Sequence, residues 1–221
     1  MKHIFIPVIL LLFGLSAAPA QSPEVVKAER ILNQVSEKTQ SYNSIKASFT
    51  FTLENLESNM TDTHEGSILL SGDKYKATLM NVDSYFNGKT LWTHLKEVGE
   101  VNISNPDTSD NATLSPSNIF NIYKEGFRYM YSDLYAGEDT IDGNPVDVVD
   151  LFPENRDKPY SRIKLYIKKD NRHIAKVSQI GKDGNNYIID IKHMKTNVPC
   201  DPSMFSFDKK KHPDVDVIDM R

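Results

Sequence analysis

Short segments in which apolar and polar residues alternate make up most of this chain, and this period of two constrains its fold more than any other feature. In the first such segment, Ala47 to Leu53, apolar residues alternate with serine and threonine, which predicts a strand with one apolar face. Together with similar segments further on, the pattern predicts about eleven strands. The later segments are residues 66–71, 75–79, 85–86, 91–95, 100–104, 127–131, 146–152, 163–167, 174–180 and 187–191.

The connections between these segments are short and rich in turn residues. Asn87-Gly88 is the strongest hairpin signal, and Asp142-Gly143 and Asp183-Gly184 are of the same kind. Short turns join antiparallel neighbours, whereas parallel strands need long crossovers. The order of segments therefore predicts an antiparallel meander within a mainly β, α+β fold. After the last of these segments we expect a helical turn at residues 202–204, a short strand at residues 205–207 and an acidic tail at residues 214–219.

Two segments have helical spacing instead. Ser22-Pro23-Glu24 combines an N-cap, a proline in the first turn and an acidic residue, which is a typical helix start. Apolar residues follow at three- and four-residue intervals, and the helix should end near residues 38–41. Ser115-Pro116 repeats the start signal, and Gly126 is well placed to end a second helix.

The first twenty residues have the pattern of a cleavable signal peptide. Lys2 and His3 precede an apolar run of about 12 residues, which is shorter than the roughly 20 residues of a membrane span. Ala18-Pro19-Ala20 supplies the small residues that signal peptidase requires. We expect residues 1–20 to be removed after Ala20, leaving a single domain at residues 21–221; an uncleaved anchor is the alternative.

Composition and motifs argue against several classes of function. The formal net charge of −4 and the lack of a long basic run disfavour nucleic acid as a partner. The chain has no glycine-rich phosphate loop and no GxSxG nucleophile motif, and its histidines lack metal-ligand spacing. The single cysteine, Cys200, cannot form an internal disulfide. We therefore expect no catalysis, metal or cofactor, although a catalytic group assembled from distant residues stays open.

The aromatic content is high, with ten tyrosines and ten phenylalanines. Periodicity alone favours a packed core in which a helix face covers a sheet face. The alternative is a sheet curved into an incomplete barrel, with the helices over its mouth and an apolar cavity inside.

Several stretches resemble LolA, the family of periplasmic carriers of outer-membrane lipoproteins. Residues 44–50 (SIKASFT) and 65–69 (EGSIL) resemble the first two strands of that family, and residues 87–92 (NGKTLW) resemble its (D/N)GKTLW hairpin. Residues 115–123 match the position of its second helix, and residues 204–207 and 215–219 resemble its ending. Order and spacing agree over nearly the whole chain after residue 20.

The resemblance implies an incomplete antiparallel β-barrel of about eleven strands, with helices as a lid over a hydrophobic cavity that holds lipoprotein acyl chains. It implies a periplasmic protein that receives acylated lipoproteins from an inner-membrane ATP-driven transporter. It further implies delivery to an outer-membrane acceptor or to the outer membrane itself. A monomer is the default expectation.

Candidate residues for the cavity and lid are apolar or aromatic positions on the predicted faces. They are Ile31, Leu32, Val35, Phe49, Phe51, Tyr75, Leu91, Trp92, Ile119, Phe120, Tyr123 and Phe127. Each could equally be an ordinary core residue. Trp92 is the strongest candidate for a purely structural role. Ile119, Phe120 and Tyr123 are the strongest candidates for function, because a lid has to move.

One departure from the family pattern concerns lid control. Well-known members carry a basic residue in a Lys-Arg-Pro turn after the second strand, whereas this chain has Ser71-Gly72-Asp73-Lys74. Lys74 and Lys76 are candidates to replace that residue. The alternatives to a lipoprotein carrier are a sensor of lipids or lipoproteins with the same fold, a carrier of another amphiphile such as a glycolipid, and an envelope hydrolase.

Overall fold

The computed structural model describes residues 22–106, 118–124, 126–132 and 140–221. The expected signal peptide and the start of the predicted second helix, residues 115–117, lie outside these ranges. The described residues contain one α-helix, two short 3₁₀ helices and thirteen strands. Mainly β structure with helical additions is the predicted fold class, and it is confirmed.

Helix α1 spans Pro23–Gln40 and confirms the predicted first helix at both ends. The Ser22 side chain accepts a hydrogen bond from the backbone N–H of Val25, with Pro23 in the first turn and Glu24 beside it. Ser22 thus satisfies one free N–H group at the helix start, and Pro23 has no N–H group to satisfy. Glu24 places a negative charge near the positive end of the helix dipole. Ala28, with three further residues on the same face, is buried against the sheet.

The strands form one open sheet. In chain order they are β1 (Ile45–Asn55), β2 (Met60–Ser71), β3 (Lys74–Leu79), β4 (Val82–Phe86), β5 (Leu91–Leu95), β6 (Glu100–Ser104), β7 (Phe127–Tyr131), β8 (Thr140–Ile141), β9 (Asn144–Pro153), β10 (Tyr160–Lys168), β11 (Ile174–Gly181), β12 (Asn185–Thr196) and β13 (Asp216–Asp219). Their spatial order is β13-β6-β5-β4-β3-β2-β1-β12-β11-β10-β9-β7, with the two-residue β8 beside β9. Strands β7 and β13 lie at opposite edges and do not pair, so the barrel is incomplete, as predicted.

The predicted hairpin at Asn87-Gly88 is confirmed between β4 and β5. The Asn87 side-chain oxygen accepts hydrogen bonds from the backbone N–H groups of Lys89 and Thr90, at 3.0 and 2.9 Å. Gly88 has a φ of +94°, which only glycine adopts without strain. This turn sets the register that places Phe86 opposite Leu91.

The predicted second helix is wrong within the described residues. Residues 118–124 form consecutive turns instead, with three-residue hydrogen bonds from Asn121 N–H to the Asn118 carbonyl and from Lys124 N–H to the Asn121 carbonyl. A short helix is marginal without strong helix formers, and asparagine and β-branched isoleucine disfavour it. We call residues 118–124 the covering turn.

The end of the chain also differs from the prediction. The strand expected at residues 205–207 is absent, because Pro202–Phe205 forms a 3₁₀ helix that Asp201 caps, in line with the predicted helical turn. The acidic tail contains β13, which pairs in parallel with β6. Residues 202–215, which we call the C-terminal strap, lead to this strand across the sheet face that points away from α1.

A small aromatic cluster fixes the C-terminal strap to the sheet. The Phe207 ring lies 5.2 Å from that of His94 and 5.1 Å from that of His212, between ring centroids. Asp83 and Lys96, which form an ion pair of 2.8 Å, lie beside this cluster. Burial, reinforced by the nearby His212, lowers the pKa of His94 below its ordinary value.

Candidate functional site

The concave face of the sheet and the buried face of α1 form one apolar cluster. Ile31, Leu32 and Val35 of the helix belong to it, and so does Phe49 of β1, which is 1% exposed. Gly66 lies opposite Phe49 on β2, and a Cβ atom there would overlap the Phe49 ring. The sequence therefore needs a glycine at this position so that the ring can lie flat in the interior.

The covering turn closes the same interior from a second side. Ile119 and Phe120 are 0% and 2% exposed, and Ile122 and Tyr123 are also buried in the cluster. Four apolar side chains from seven residues thus fill space between the helix and the sheet. Three-residue hydrogen bonds are the backbone bonds within this segment, and they have poorer geometry than α-helical ones.

Tyr123 carries a polar atom into this apolar contact. Its hydroxyl is buried near the hydroxyls of Ser36 and Thr39 on α1, but it makes no well-formed hydrogen bond among the described residues. Burial raises the pKa of Tyr123, and the two hydroxyls oppose that shift in part. A buried hydroxyl without a full partner weakens the contact between the covering turn and α1.

Two openings flank the covering turn. A pocket of 330 Å³ lies at the end of α1, where Ile45, Leu70 and Tyr75 of the sheet face Phe120. A second pocket of 240 Å³ lies along the side of the helix, between Leu32 and Tyr123. The covering turn thus separates two solvent-accessible gaps that both reach the apolar cluster.

Polar contacts hold the two ends of α1. The Lys27 ammonium lies 3.3 Å from the centroid of the Tyr131 ring on β7, which is a cation–π contact. Just after the helix, the Tyr42 hydroxyl and the His173 Nε2 atom share a hydrogen bond of 2.8 Å. Burial and the positive charges of Lys38 and Lys168 lower the pKa of His173, which favours its neutral form. Polar contacts therefore hold the helix at both ends, and the covering turn adds four buried apolar side chains to the cluster.

The structure brings together ten of the twelve predicted residues. Eight are buried members of the cluster, namely Ile31, Leu32, Val35, Phe49, Ile119, Phe120, Tyr123 and Phe127, and Phe51 and Tyr75 are partly buried against it. Contact of these ten with an acyl chain stays a prediction.

Leu91 and Trp92 are not part of the cluster. Leu91 lies opposite Phe86, which lies opposite Tyr75, so Leu91 is on the concave face but further out along the sheet. Trp92 lies opposite Tyr85, on the face that carries the C-terminal strap. Neighbouring residues of a strand point to opposite faces, so Leu91 and Trp92 could not both line one cavity.

Sequence reasoning missed several cluster members and all the polar contacts. Tyr129 and Leu70 are packed against the cluster, and each lay in a recognised strand pattern, so period two could have indicated them. The partners Ser36, Thr39 and His173 left no comparable signal, because their contacts depend on how distant elements meet.

Within the described ranges, no group of three or more His, Cys, Asp or Glu side chains could hold a metal ion. Nor does any helix in the same ranges have the length and apolar character needed to cross a membrane.

Three solved structures are similar to this one at 10–12% sequence identity. The structure of an uncharacterized conserved protein from Thermus thermophilus, 10% identical, covers 87% of this chain and 99% of its own length with a TM-score of 0.56, which shows a shared fold. A LolA superfamily protein from Nitrosomonas europaea is 12% identical and covers 81% of this chain and 97% of its own, with a TM-score of 0.44. For the Mycobacterium tuberculosis lipoprotein LppX the identity is 12%, the coverages are 80% and 98%, and the TM-score is 0.45.

No curated protein matches the sequence. The family model described as outer membrane lipoprotein carrier protein LolA matches residues 20–139, which is more than half of the 221 residues. This protein therefore belongs to the LolA family of outer membrane lipoprotein carrier proteins.

Proposed function

We propose that this protein is a periplasmic carrier that holds the acyl chains of lipoproteins between its concave sheet face and α1, and takes them from the inner to the outer membrane. One observation carries the proposal. The covering turn closes the apolar interior with Ile119, Phe120 and Tyr123, has three-residue backbone hydrogen bonds in place of helical ones, and is flanked by two openings. Movement of this turn would open the interior to an acyl chain.

The closed turn competes with the cargo for the same apolar surface. Burying an acyl chain gains about 0.8 kcal/mol per methylene relative to water. Opening the turn first exposes side chains such as Phe120 and Ile119, each of which stabilises the closed form by about 1.5–3 kcal/mol. The net binding free energy is therefore well below that gained by burying the acyl chain alone. A carrier that has to release its cargo needs this lower affinity.

Loading from a membrane requires an external source of energy. Lipid is as apolar as the interior of the protein, so moving an acyl chain from one to the other gains almost no hydrophobic free energy. An inner-membrane ATP-driven transporter as donor meets this requirement, and the outer membrane or an acceptor in it is the destination. The carrier itself then needs neither a catalytic residue nor a cofactor, and the signal-peptide pattern in the sequence of residues 1–20 supports delivery to the periplasm.

The turn between β2 and β3 lies at the edge of the 330 Å³ pocket, and its charge differs from that of well-known family members. In well-known members of the family this turn carries the basic residue that controls the lid. Here Gly72 and Asp73 line the 330 Å³ pocket, and Lys124 of the covering turn lines the same pocket. We infer that the positive charge at this opening comes from the covering turn rather than from the sheet.

Native mass spectrometry of the protein purified from its own periplasm tests the proposal. We expect a one-to-one complex with an acylated lipoprotein. Phe120→Asp should abolish that complex, because a carboxylate would be placed in the apolar cluster. Val98→Asp is the matched control, since Val98 is 63% exposed in a turn outside the cluster, and it should leave the complex intact.

Other outcomes distinguish the alternatives. Co-purification of free lipid without a lipoprotein would indicate that the cargo is another amphiphile. Co-purification with a signalling protein in place of acylated cargo would support a sensor. Absence of any ligand, even after incubation with membranes and an energised transporter, would contradict the carrier proposal.

A further inference from the structure

A row of lysines crosses the face of the sheet that points away from α1. In the strand register, Lys195 of β12 lies opposite Lys46 of β1, Lys46 lies opposite Leu69 of β2, and Leu69 lies opposite Lys76 of β3. Residues directly opposite one another point to the same face. The row is thus a line of three ammonium groups with one leucine between two of them.

Two of the three lysines in this row lack an ion-pair partner among the described residues. They are Lys46 and Lys195, and both are exposed. Like charges directly opposite each other on neighbouring strands are destabilising. Lys76 lies over the Tyr85 ring, with its Nζ atom 5.0 Å from the ring centroid, and its charge also acts on the Asp83 carboxylate. An anion placed on this row would relieve the repulsion.

The C-terminal strap turns this row into a cavity. A pocket of 570 Å³ lies between the sheet and the strap. Lys46, Lys76 and Leu69 form its floor, and Met204, Lys211 and His212 belong to the strap above. Small-molecule pockets have volumes of about 300–1,000 Å³, so this one has the size of a ligand site.

The lining indicates the class of ligand. Three lysines face a single carboxylate, that of Asp208, whose Oδ2 atom is 3.9 Å from the Lys211 Nζ atom. This local excess of positive charge occurs in a chain whose net charge is −4. Leu69 and Met204, the latter 44% exposed, add an apolar surface beside the ammonium groups.

We propose that this outer cavity binds an anionic amphiphile. Its phosphate or carboxylate group would lie between Lys46, Lys76 and Lys211, and its apolar part would lie against Leu69 and Met204. The site is on the opposite face of the sheet from the apolar cluster and does not depend on the carrier function.

Methyl NMR with decyl phosphate as the probe, below its micelle concentration, tests this site by position. Binding in the outer cavity should shift the methyl signals of Met204 and Leu69, whereas binding in the interior would shift those of Ile119 and Leu32. Inorganic phosphate and the uncharged decyl glucoside are the comparison ligands. Both should bind more weakly, because each lacks one half of the amphiphile.

A lysine variant tests the electrostatic part. Lys46→Gln combined with Lys76→Gln should weaken decyl phosphate binding by about fivefold, as expected for the loss of two partly exposed ion pairs. Lys89→Gln combined with Lys169→Gln is the control, since it removes two charges from turns outside the cavity lining. Unchanged far-UV circular dichroism would show that the variants are folded.

Four results would overturn the proposal. The first is that the Met204 and Leu69 signals do not move with decyl phosphate, and the second is that decyl glucoside binds as tightly as decyl phosphate. The third is that the Lys46/Lys76 variant binds decyl phosphate as tightly as the Lys89/Lys169 control. The fourth is that inorganic phosphate binds as tightly as decyl phosphate, which would show that the alkyl chain does not contribute and would contradict an amphiphile as the ligand.

Discussion

Replacing Tyr123 by phenylalanine should make the empty protein more stable and a weaker binder of acyl chains. The ring of Tyr123 is buried between the covering turn and α1, and its hydroxyl lacks a well-formed hydrogen bond among the described residues. Tyr123→Phe keeps the ring and removes only that oxygen. It therefore removes the penalty of burying an incompletely bonded hydroxyl without creating a cavity.

The magnitude follows from that penalty. A buried polar group without a partner costs about 1–3 kcal/mol, and the hydroxyls of Ser36 and Thr39 offset part of it, so we expect a gain of about 1 kcal/mol. For a protein of this size the gain corresponds to a rise in Tm of about 2–4 °C. Because an acyl chain has to displace the covering turn, the same 1 kcal/mol should raise the Kd for a fluorescent fatty acid by about fivefold.

Tyr42→Phe is the matched control, and its effect on the free energy of unfolding should have the opposite sign. The Tyr42 hydroxyl has a real hydrogen bond to His173 at 2.8 Å, so its removal should lower the free energy of unfolding by about 1 kcal/mol. Thermal unfolding without ligand and a binding titration measure both variants. If Tyr123→Phe lowers the Tm as Tyr42→Phe does, the Tyr123 hydroxyl is well bonded and the reasoning is refuted.

Two further predictions concern stability. Gly66→Ala should destabilise the protein by about 1–3 kcal/mol in urea unfolding, because the added methyl group would overlap the Phe49 ring; an unchanged midpoint would show that this ring moves freely. Stability should also fall as pH decreases from about 6.5, because burial beside His212 lowers the pKa of His94, and the unfolded chain then binds the proton more readily. His94→Gln should reduce this pH dependence, and adding His173→Gln should reduce it further, because burial also lowers the pKa of His173; an unchanged slope in both variants would contradict this assignment.

The strands could be predicted from sequence because their signals are local. Alternation within each segment and the Asn87-Gly88 turn give the β1–β6 meander, and the Ser22 cap gives the start of α1. Pairing between distant segments has no such signal. The acidic tail has the composition of a solvated terminus, yet Asp216–Asp219 pairs in parallel with β6, which lies far earlier in the chain.

The face of the sheet to which a side chain points is the second feature that the sequence does not predict. Leu91 and Trp92 are both large and apolar, and sequence alone does not decide which of them lies on the concave face. The lysine row has the same origin, because Lys46, Lys76 and Lys195 are separated in sequence and meet only through the register of four strands. Surfaces built across strands are therefore harder to predict than surfaces built along one helix.

Under the proposed function, weak closure of the covering turn is an advantage rather than a defect of folding. A regular helix at residues 118–124 would add stronger hydrogen bonds to the closed form, and a fully bonded Tyr123 hydroxyl would add about 1 kcal/mol more. Each addition would stabilise the empty protein and lower the affinity for cargo by the same free energy, because both states use one apolar surface. A segment closed by three-residue turns and apolar side chains keeps that difference small, so that a donor can load the carrier and an acceptor can empty it.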